Sequence, residues 1–273
     1  MKQGNRVDRE LVVRGICESR ELAQAYILAG TVYINDNKVQ KASEVVIDHD
    51  KLYIKEPAHP YVSRGGLKLE KAFNVFPLDV KDRAALDIGA STGGFTDVLL
   101  RNGARHVYAV DVGYGQIDWR IRNDTRVTVM ERINARYLEP EQFSMQPTVS
   151  VIDVSFISLK LIIPAAARVM GHKGIMLLLI KPQFEAGKEK VGKKGVIKDI
   201  TIHTEVIASI QQFVKDMGWT VCGLDFSPIQ GAKGNIEFLM LISKGVDESL
   251  PNKTIDVFVV NDVVKRSHKE FLE

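Results

Sequence analysis

The 273-residue chain has two cysteines, Cys17 and Cys222, far apart and without a CxxC pair or a histidine-rich neighbourhood. That excludes a disulfide framework and gives no ligand set for zinc or another metal. Long apolar runs are missing too. The longest unbroken one, Ile175–Ile180, falls far short of the roughly 20 residues a bilayer span requires. Lys2, Arg6 and Asp8 precede no apolar signal-peptide core, and no repeated set of alternating amphipathic strands marks a membrane barrel. A cytoplasmic protein with no membrane span is the expectation. Charge of one sign is also scarce, since a formal net charge of +3 identifies no nucleic-acid partner by itself. What is present is an ordinary globular composition, 45% apolar and 26% charged, in a chain long enough for one large domain and one small one.

Residues 5–55 read as two helices followed by strands. VDRELVVRG is the first helix; SRELAQAYILAG is the second, with Ser19 as N-cap and Gly30 as stop; TVYIND, NKV and KLYIKE are the strands. Charges balance over residues 1–60 but are segregated, with Arg6, Arg9, Arg14 and Arg20 in the helical half and Glu44, Asp48 and Asp50 toward the end. A face of arginines can follow RNA phosphates even on a neutral module, because the local field governs counterion release. The order R-V-D-x-x-L-V-x-R-G, then S-R-x-x-A-x-x-x-I-x-x-G-x-V-x-I-N and V-x-K-A, resembles the small RNA-binding domain named after ribosomal protein S-four. The prolines of EPAHP then make a stiff linker. The expected layout is a small α+β RNA-binding domain at 1–57, a linker at 58–66, a large domain at 67–245 and a C-terminal extension at 246–273 that forms a helix or a strand and helix.

From residue 84 the rhythm becomes β-α-β: AALDI, a Gly-rich turn, FTDVLLRNG, then HVYAVDVG, RVTVMER, VSVIDVS and GIMLLLIKP. Near-continuous apolar strands separated by helical stretches predict a mostly parallel α/β sheet covered on both faces. HTEVIASIQQFVKDMG is a further helix. WTVCGLDFS and NIEFLMLIS are joined too tightly for a crossover, so the last strand is predicted antiparallel. A seven-stranded sheet ending this way resembles the Rossmann-like methyltransferases.

In DIGASTGGFTD, Gly89, Gly93 and Gly94 follow an apolar strand and precede a helix, which lets backbone approach a nucleotide-like ligand. A dinucleotide fingerprint fails on detail: it requires glycine where Ser91 stands, and Asp87 at the strand end suits no pyrophosphate. The pattern D-x-G-x-x-x-G-G-F-T instead resembles the first motif of enzymes that use S-adenosylmethionine. That resemblance implies a cofactor site at Asp87, Gly89, Ser91, Thr92, Gly93, Gly94 and Phe95, with Asp111 accepting from the ribose hydroxyls and Asn134 facing the adenine.

Three polar residues stand where a sheet would aim them into one crevice: Asp153 ending VSVID, Lys181 ending GIMLLLIK, and Glu237 opening IEFLMLI. Lys68, in YVSRGGLKLEKAF, lies on the flank of a helix whose apolar face holds Leu69, Ala72, Phe73 and Phe76. Each alone reads as a cap or surface residue. In order, they match the Lys-Asp-Lys-Glu quartet of ribose methyltransferases of the FtsJ type. With SRGGLKL, DIGASTGGFTD, DVSFIS, IKPQFE and GNIEF, essentially the whole chain resembles the TlyA family of ribosomal RNA ribose methyltransferases, often labelled hemolysins. The resemblance implies S-adenosylmethionine as cofactor, ribosomal RNA or ribosomal subunits as partner, Phe156 against the cofactor and no metal. A ribose hydroxyl is scarcely ionised at neutral pH, so its attack on a methyl group needs proton removal and an in-line approach. Lys181 is the candidate base, Lys68 the neighbouring cation that favours its neutral form, and Asp153 and Glu237 the groups that orient both. An allocation in which Lys68 only steers the hydroxyl stays open.

EAGKEKVGKKGVIKD, residues 185–199, reads either as a solvated loop or as a basic flap whose Lys188, Lys190, Lys193 and Lys194 close over RNA phosphates. Arg64, Arg132 and Arg136 are candidates for the same surface. Two other functions compete. A pore-forming protein is opposed by the apolar pattern, and a cofactor-binding module without catalysis is opposed by the presence of all four quartet residues.

Overall fold

The computed structural model describes residues 4–17, 19–28, 30–55, 59–192, 195–245 and 255–272, and the chain divides into two compact units, Met1–Pro60 and Tyr61–Glu273. In the first, β1 (Asn5–Arg6) leads into α1 (Val7–Val13), followed by α2 (Arg20–Leu28), β2 (Val32–Ile34), β3 (Asn37–Lys38), β4 (Val45–Val46) and β5 (Leu52–Ile54). Val7 and Leu11 of α1 and Ala23 and Ile27 of α2 close on Val32, Val39, Val46 and Leu52 to make its core. Ser19 caps α2 by accepting the Leu22 amide at 3.2 Å, and Gly30 ends it at φ +70°. β2 is the centre of a three-stranded antiparallel sheet, with β3 on one side and β5 on the other. The β1–β4 pair, two residues on each side, has no counterpart in the sequence reading because Asn5–Arg6 carries no apolar signal.

The second unit runs α3 (Gly66–Val75), β6 (Ala84–Ile88), α4 (Gly94–Arg101), β7 (His106–Asp111), α5 (Trp119–Arg122), β8 (Val127–Glu131), β9 (Val149–Ile152), α6 (Leu159–Val169), β10 (Gly174–Ile180), α7 (Pro182–Glu185), α8 (Ile200–Asp216), β11 (Thr220–Phe226), β12 (Phe238–Lys244) and α9 (Val257–Leu272). Its seven strands stand in the order β11-β12-β10-β9-β6-β7-β8, and β12 is antiparallel to both neighbours while the other pairs are parallel. That is the α/β sheet expected from the strand pattern.

Alternation along the strands explains why both faces are covered. On β10, Met176, Leu178 and Ile180 point to one core with α6, α8 and α9, while Ile175, Leu177 and Leu179 point to the other with α3 and α4. Each fully buried Leu or Ile contributes about 1.5–3 kcal/mol against exposure. The terminal helix α9 belongs to this unit, inserting Val260, Val263 and Val264 into the core shared with α8.

Candidate active site

The ends of β6 and β9 meet through a glycine. Gly89 has φ +87°, and a Cβ on it would stand 2.3 Å from the Asp153 carbonyl oxygen, so no other residue allows this approach. Gly94 packs against the segment before α3. A Cβ there would meet Ser63 Oγ at 2.3 Å and the Gly66 nitrogen at 3.0 Å, so its smallness seats the start of α3 against α4 and thereby places Lys68. Asp97 adds to that seat, accepting the Val62 amide at 2.9 Å.

A crevice of about 500 Å³ opens at the carboxyl ends of β6, β7 and β9, lined among others by Gly89, Ser91, Asp111, Asn134, Asp153 and Phe156. Asp111 holds the Gly-rich turn, its Oδ2 accepting from the Ser91 amide at 2.8 Å and its Oδ1 from the Gly113 amide at 2.7 Å. Each carboxylate oxygen keeps a further lone pair for a ligand hydroxyl. Asn134 accepts the Arg136 amide through its side chain at 3.2 Å. Phe156 is 91% exposed at φ +63°, with its ring 5.0 Å from that of Phe184. Its loop is fixed from outside the DVSFIS motif: Glu185 accepts from Ser158 Oγ at 2.6 Å and the Leu159 amide at 2.8 Å.

The remaining residues expected at the cofactor lie outside this lining. Thr92 is exposed, whereas Gly93 and Asp87 are buried. Phe95, 4% exposed, is a core side chain with Leu69, Val98 and Ile121, because the first turn of α4 faces inward. Asp87 is fully buried and accepts from Thr96 Oγ1 at 2.6 Å, while its other oxygen has no hydrogen-bond partner among the described residues. Burial pushes its carboxyl up to about 7; the Thr96 hydrogen bond opposes this, and the charges of Asp153 and Asp111 add to it.

The four quartet residues come together. Lys68 Nζ is 2.6 Å from Glu237 Oε2 and 3.7 Å from Asp153 Oδ2, and Lys181 Nζ is 2.6 Å from Asp153 Oδ1. Positive and negative groups therefore alternate from Glu237 through Lys68 and Asp153 to Lys181, all buried or nearly so. Lys181 also donates to Ser155 Oγ at 2.9 Å. Ser155 lines the crevice and was missed in the sequence, although its place two residues after Asp153 is a signal that could have found it.

The basic candidates are dispersed. Arg64, Arg132 and Arg136 are exposed, with Arg132 4.0 Å over the Tyr114 ring and Arg136 5.2 Å over that of Tyr137. In the 185–199 segment, Lys188–Lys190 form a single 3-10 turn, Lys190 pairs with Glu205 at 2.6 Å, and Lys193 and Lys194 lie outside the described residues. The far end of that segment is anchored by Asn235, which accepts the Ile197 amide at 3.1 Å and donates to the Gly195 carbonyl at 2.9 Å.

In the first unit Arg9 is exposed. Arg6 and Arg20 are gathered by buried Asp8, at 3.0 and 2.8 Å. Arg14 is engaged within the unit: it donates to Glu10 at 2.9 Å and to the carbonyls of Asp50 and Ile47 at 2.8 and 3.0 Å, binding α1 to the 47–50 turn.

A parallel sheet with one antiparallel strand between β10 and β11, a Gly-rich turn held by a strand-end aspartate, and a buried lysine–carboxylate chain beside the crevice define a Rossmann-like methyltransferase. Residues 61–244 match the family described as FtsJ-like methyltransferase. Among curated relatives, a Bacillus subtilis (strain 168) protein whose name, YqxC, carries a proposed rRNA methyltransferase activity is 46% identical over 98% of this chain and 95% of its own length. The 16S/23S rRNA (cytidine-2′-O)-methyltransferase TlyA of Mycobacterium tuberculosis (strain CDC 1551 / Oshkosh) is 40% identical over 99% of both chains. A solved structure from Streptococcus thermophilus whose title proposes a hemolysin superposes with a TM-score of 0.75 at 46% identity, covering 100% of this chain and 98% of that one. The chain belongs to the FtsJ-like methyltransferase family, in its TlyA branch.

S-adenosylmethionine is the cofactor of this class, and the crevice suits it. Its volume of about 500 Å³ fits a small-molecule site, Ile133, Ala135, Val154, Ile157 and Ile162 offer an apolar wall for a base, and Asp111 offers a carboxylate for vicinal hydroxyls.

Proposed function

We propose that this protein transfers a methyl group to a ribose 2′-hydroxyl of ribosomal RNA. The observation that carries the reading is the alternating chain Glu237–Lys68–Asp153–Lys181 at the edge of the crevice. Bound S-adenosylmethionine supplies an electrophilic methyl on a sulfonium; the residues Asp111, Ser91, Asn134 and Phe156 would hold it. Lys181 takes the hydroxyl proton, and Asp153 at 2.6 Å compensates the ammonium that forms. Lys68, fixed by Glu237, stands as the second cation and steers the oxygen. Ser155 limits the directions the Lys181 amine can adopt.

The N-terminal unit, with its likeness to the S-four type of RNA-binding domain, would position the substrate through Arg6, Arg9 and Arg20. Residues 1–57 would then serve binding and the large unit chemistry, in the cytoplasm where ribosomes are modified. A membrane-lytic reading has only the names of relatives behind it, and no helix among the described residues is long and apolar enough to cross a membrane. The test is incubation of the full chain with methyl-labelled S-adenosylmethionine and unmodified ribosomal subunits, followed by nucleotide mapping. Label on a 2′-oxygen is expected; label on a base, or none on RNA, would overturn the reading.

A further inference from the structure

The outer face of the sheet formed by β2, β3 and β5 carries an arrangement the chemistry above does not use. Val32 and Leu52 turn inward to the core, so Tyr33 and Tyr53 turn outward, as register partners across β2 and β5. Their rings are stacked, with centroids 5.7 Å apart and planes 17° apart. Lys51 Nζ lies 5.0 Å from the centre of the Tyr53 ring and Lys55 Nζ 5.9 Å from that of Tyr33. Lys38 of β3 is the register partner of Tyr33 on the other side. All three lysines are exposed and both tyrosines half-buried. A carboxylate, Asp36, also reaches this face, where it accepts from the Tyr53 hydroxyl at 2.7 Å and so fixes the ring.

A cross-strand tyrosine pair stabilises a short sheet by itself. It does not require a solvent-facing cation over each ring. We propose that this face is a stacking platform for unpaired nucleobases of an RNA strand, with Lys51, Lys55 and Lys38 neutralising the flanking phosphates. The proposal rests on the reading of RNA as substrate and adds a second contact surface, separate from Arg6, Arg9 and Arg20. Every base presents a π-face that an aromatic side chain can cover, and lysines beside the rings supply the backbone attraction. Bases inside a paired helix are already stacked, which restricts the platform to single-stranded segments.

The experiment uses the full chain and two fluorescein-labelled probes of equal length, an unstructured RNA oligonucleotide and a fully paired RNA duplex. Replacing both rings (Tyr33→Leu with Tyr53→Leu) is expected to weaken single-strand binding by roughly 5- to 150-fold, the range for loss of one base–aromatic stack, while duplex binding and the salt slope hold. Tyr33→Phe with Tyr53→Phe should bind like the parent. Lys51→Gln with Lys55→Gln, which touches no core residue, should lower the salt slope on the single strand by about 1.4. Unchanged single-strand affinity in the Leu pair, equal losses on the duplex, or an unchanged slope in the Gln pair would each overturn the proposal. Methyl transfer to ribosomal subunits is measured alongside. A parent that methylates, paired with ring variants that bind normally, sinks the platform alone; a parent that binds through its tyrosines yet methylates no RNA sinks the substrate reading and leaves the platform.

Discussion

The Lys68 ammonium stands 2.6 Å from the Glu237 carboxylate, joining helix α3 to the residue before β12 with both side chains almost entirely buried. Removing one member leaves the other charge uncompensated, because Asp153 at 3.7 Å is already engaged by Lys181. Glu237→Ala should therefore lower the unfolding free energy by about 3–5 kcal/mol, whereas Lys68→Met with Glu237→Leu should recover most of that loss. Urea unfolding of the single and double variants checks this. Methyl transfer should stay lost in both, and a double variant as unstable as the single one would show that the pair is not coupled.

Lys181→Arg tests proton removal. A guanidinium keeps the positive charge beside Asp153 but cannot surrender its proton in the working range. Single-turnover methyl transfer should fall as far as in Lys181→Ala, roughly 10²- to 10⁴-fold for loss of a general base. Calorimetry should find S-adenosylmethionine binding retained in both variants. Substantial turnover with arginine would leave Lys181 a purely electrostatic role.

Much of this site is legible in the sequence because a parallel sheet announces where its strands end. Asp111, Asp153 and Lys181 each close an apolar run, so a polar side chain there is aimed at the crevice whatever the detail of packing. The Gly-rich turn was legible as a turn and ambiguous as a site. Gly89 and Ser91 line the crevice, while Gly94 and Phe95 of the same motif serve the seating of α3 and the core, since a motif records every constraint on a segment together. Contacts between distant segments left no local trace. Glu185 capping α6, Asn235 anchoring the 195–197 backbone, and Asp8 gathering two arginines all depend on partners that pattern reading does not bring together.

Asp111 offers a separable test of the cofactor side. Asp111→Asn retains one carbonyl acceptor for the Ser91 or Gly113 amide, whereas Asp111→Ala retains none. Affinity for S-adenosylmethionine should fall by about 1–3 kcal/mol in the alanine variant, and by less in the asparagine variant. Calorimetry without RNA measures both. Equal affinity in parent and Asp111→Ala would remove Asp111 from the binding site.

The buried Asp87 predicts a pH dependence of stability. Its folded-state value of about 7 lies above that of an unfolded aspartate, so below about pH 4 both states hold the proton and no penalty arises. As pH rises toward 7 the unfolded chain ionises first, and stability falls by an amount on the order of 4 kcal/mol, then levels off. Asp87→Asn should flatten this slope in denaturation midpoints taken between pH 5 and 8. A parent and variant with parallel profiles would mean that Asp87 ionises in the fold as readily as in the unfolded chain.

Asp8 predicts the opposite sign in the N-terminal unit. Its buried carboxylate accepts from Arg6 at 3.0 Å, Arg20 at 2.8 Å and Gln24 at 3.1 Å. The Arg6 hydrogen bond, with those of Gln24 and Arg20, holds the carboxyl well below the usual range against the opposing effect of burial. Stability from this group is therefore present above the unfolded value near 4 and is lost as pH falls through the acid range. Asp8→Asn preserves the shape but not the charge. It should lower the melting temperature of the N-terminal unit at pH 7 by roughly 5 °C, as for the loss of a charged hydrogen-bond set in a small domain. The gap between parent and variant should narrow as pH drops below about 4, because the unfolded parent then takes up a proton while the folded carboxylate stays ionised, so the parent loses stability that the variant never had. Arg6 and Arg20, half-exposed and now unanchored, should also bind RNA less tightly although the number of cations is unchanged. Scanning calorimetry across pH, with RNA titrations at pH 7, measures both effects. A gap that stays constant down to pH 2 would show that Asp8 acts by its shape alone.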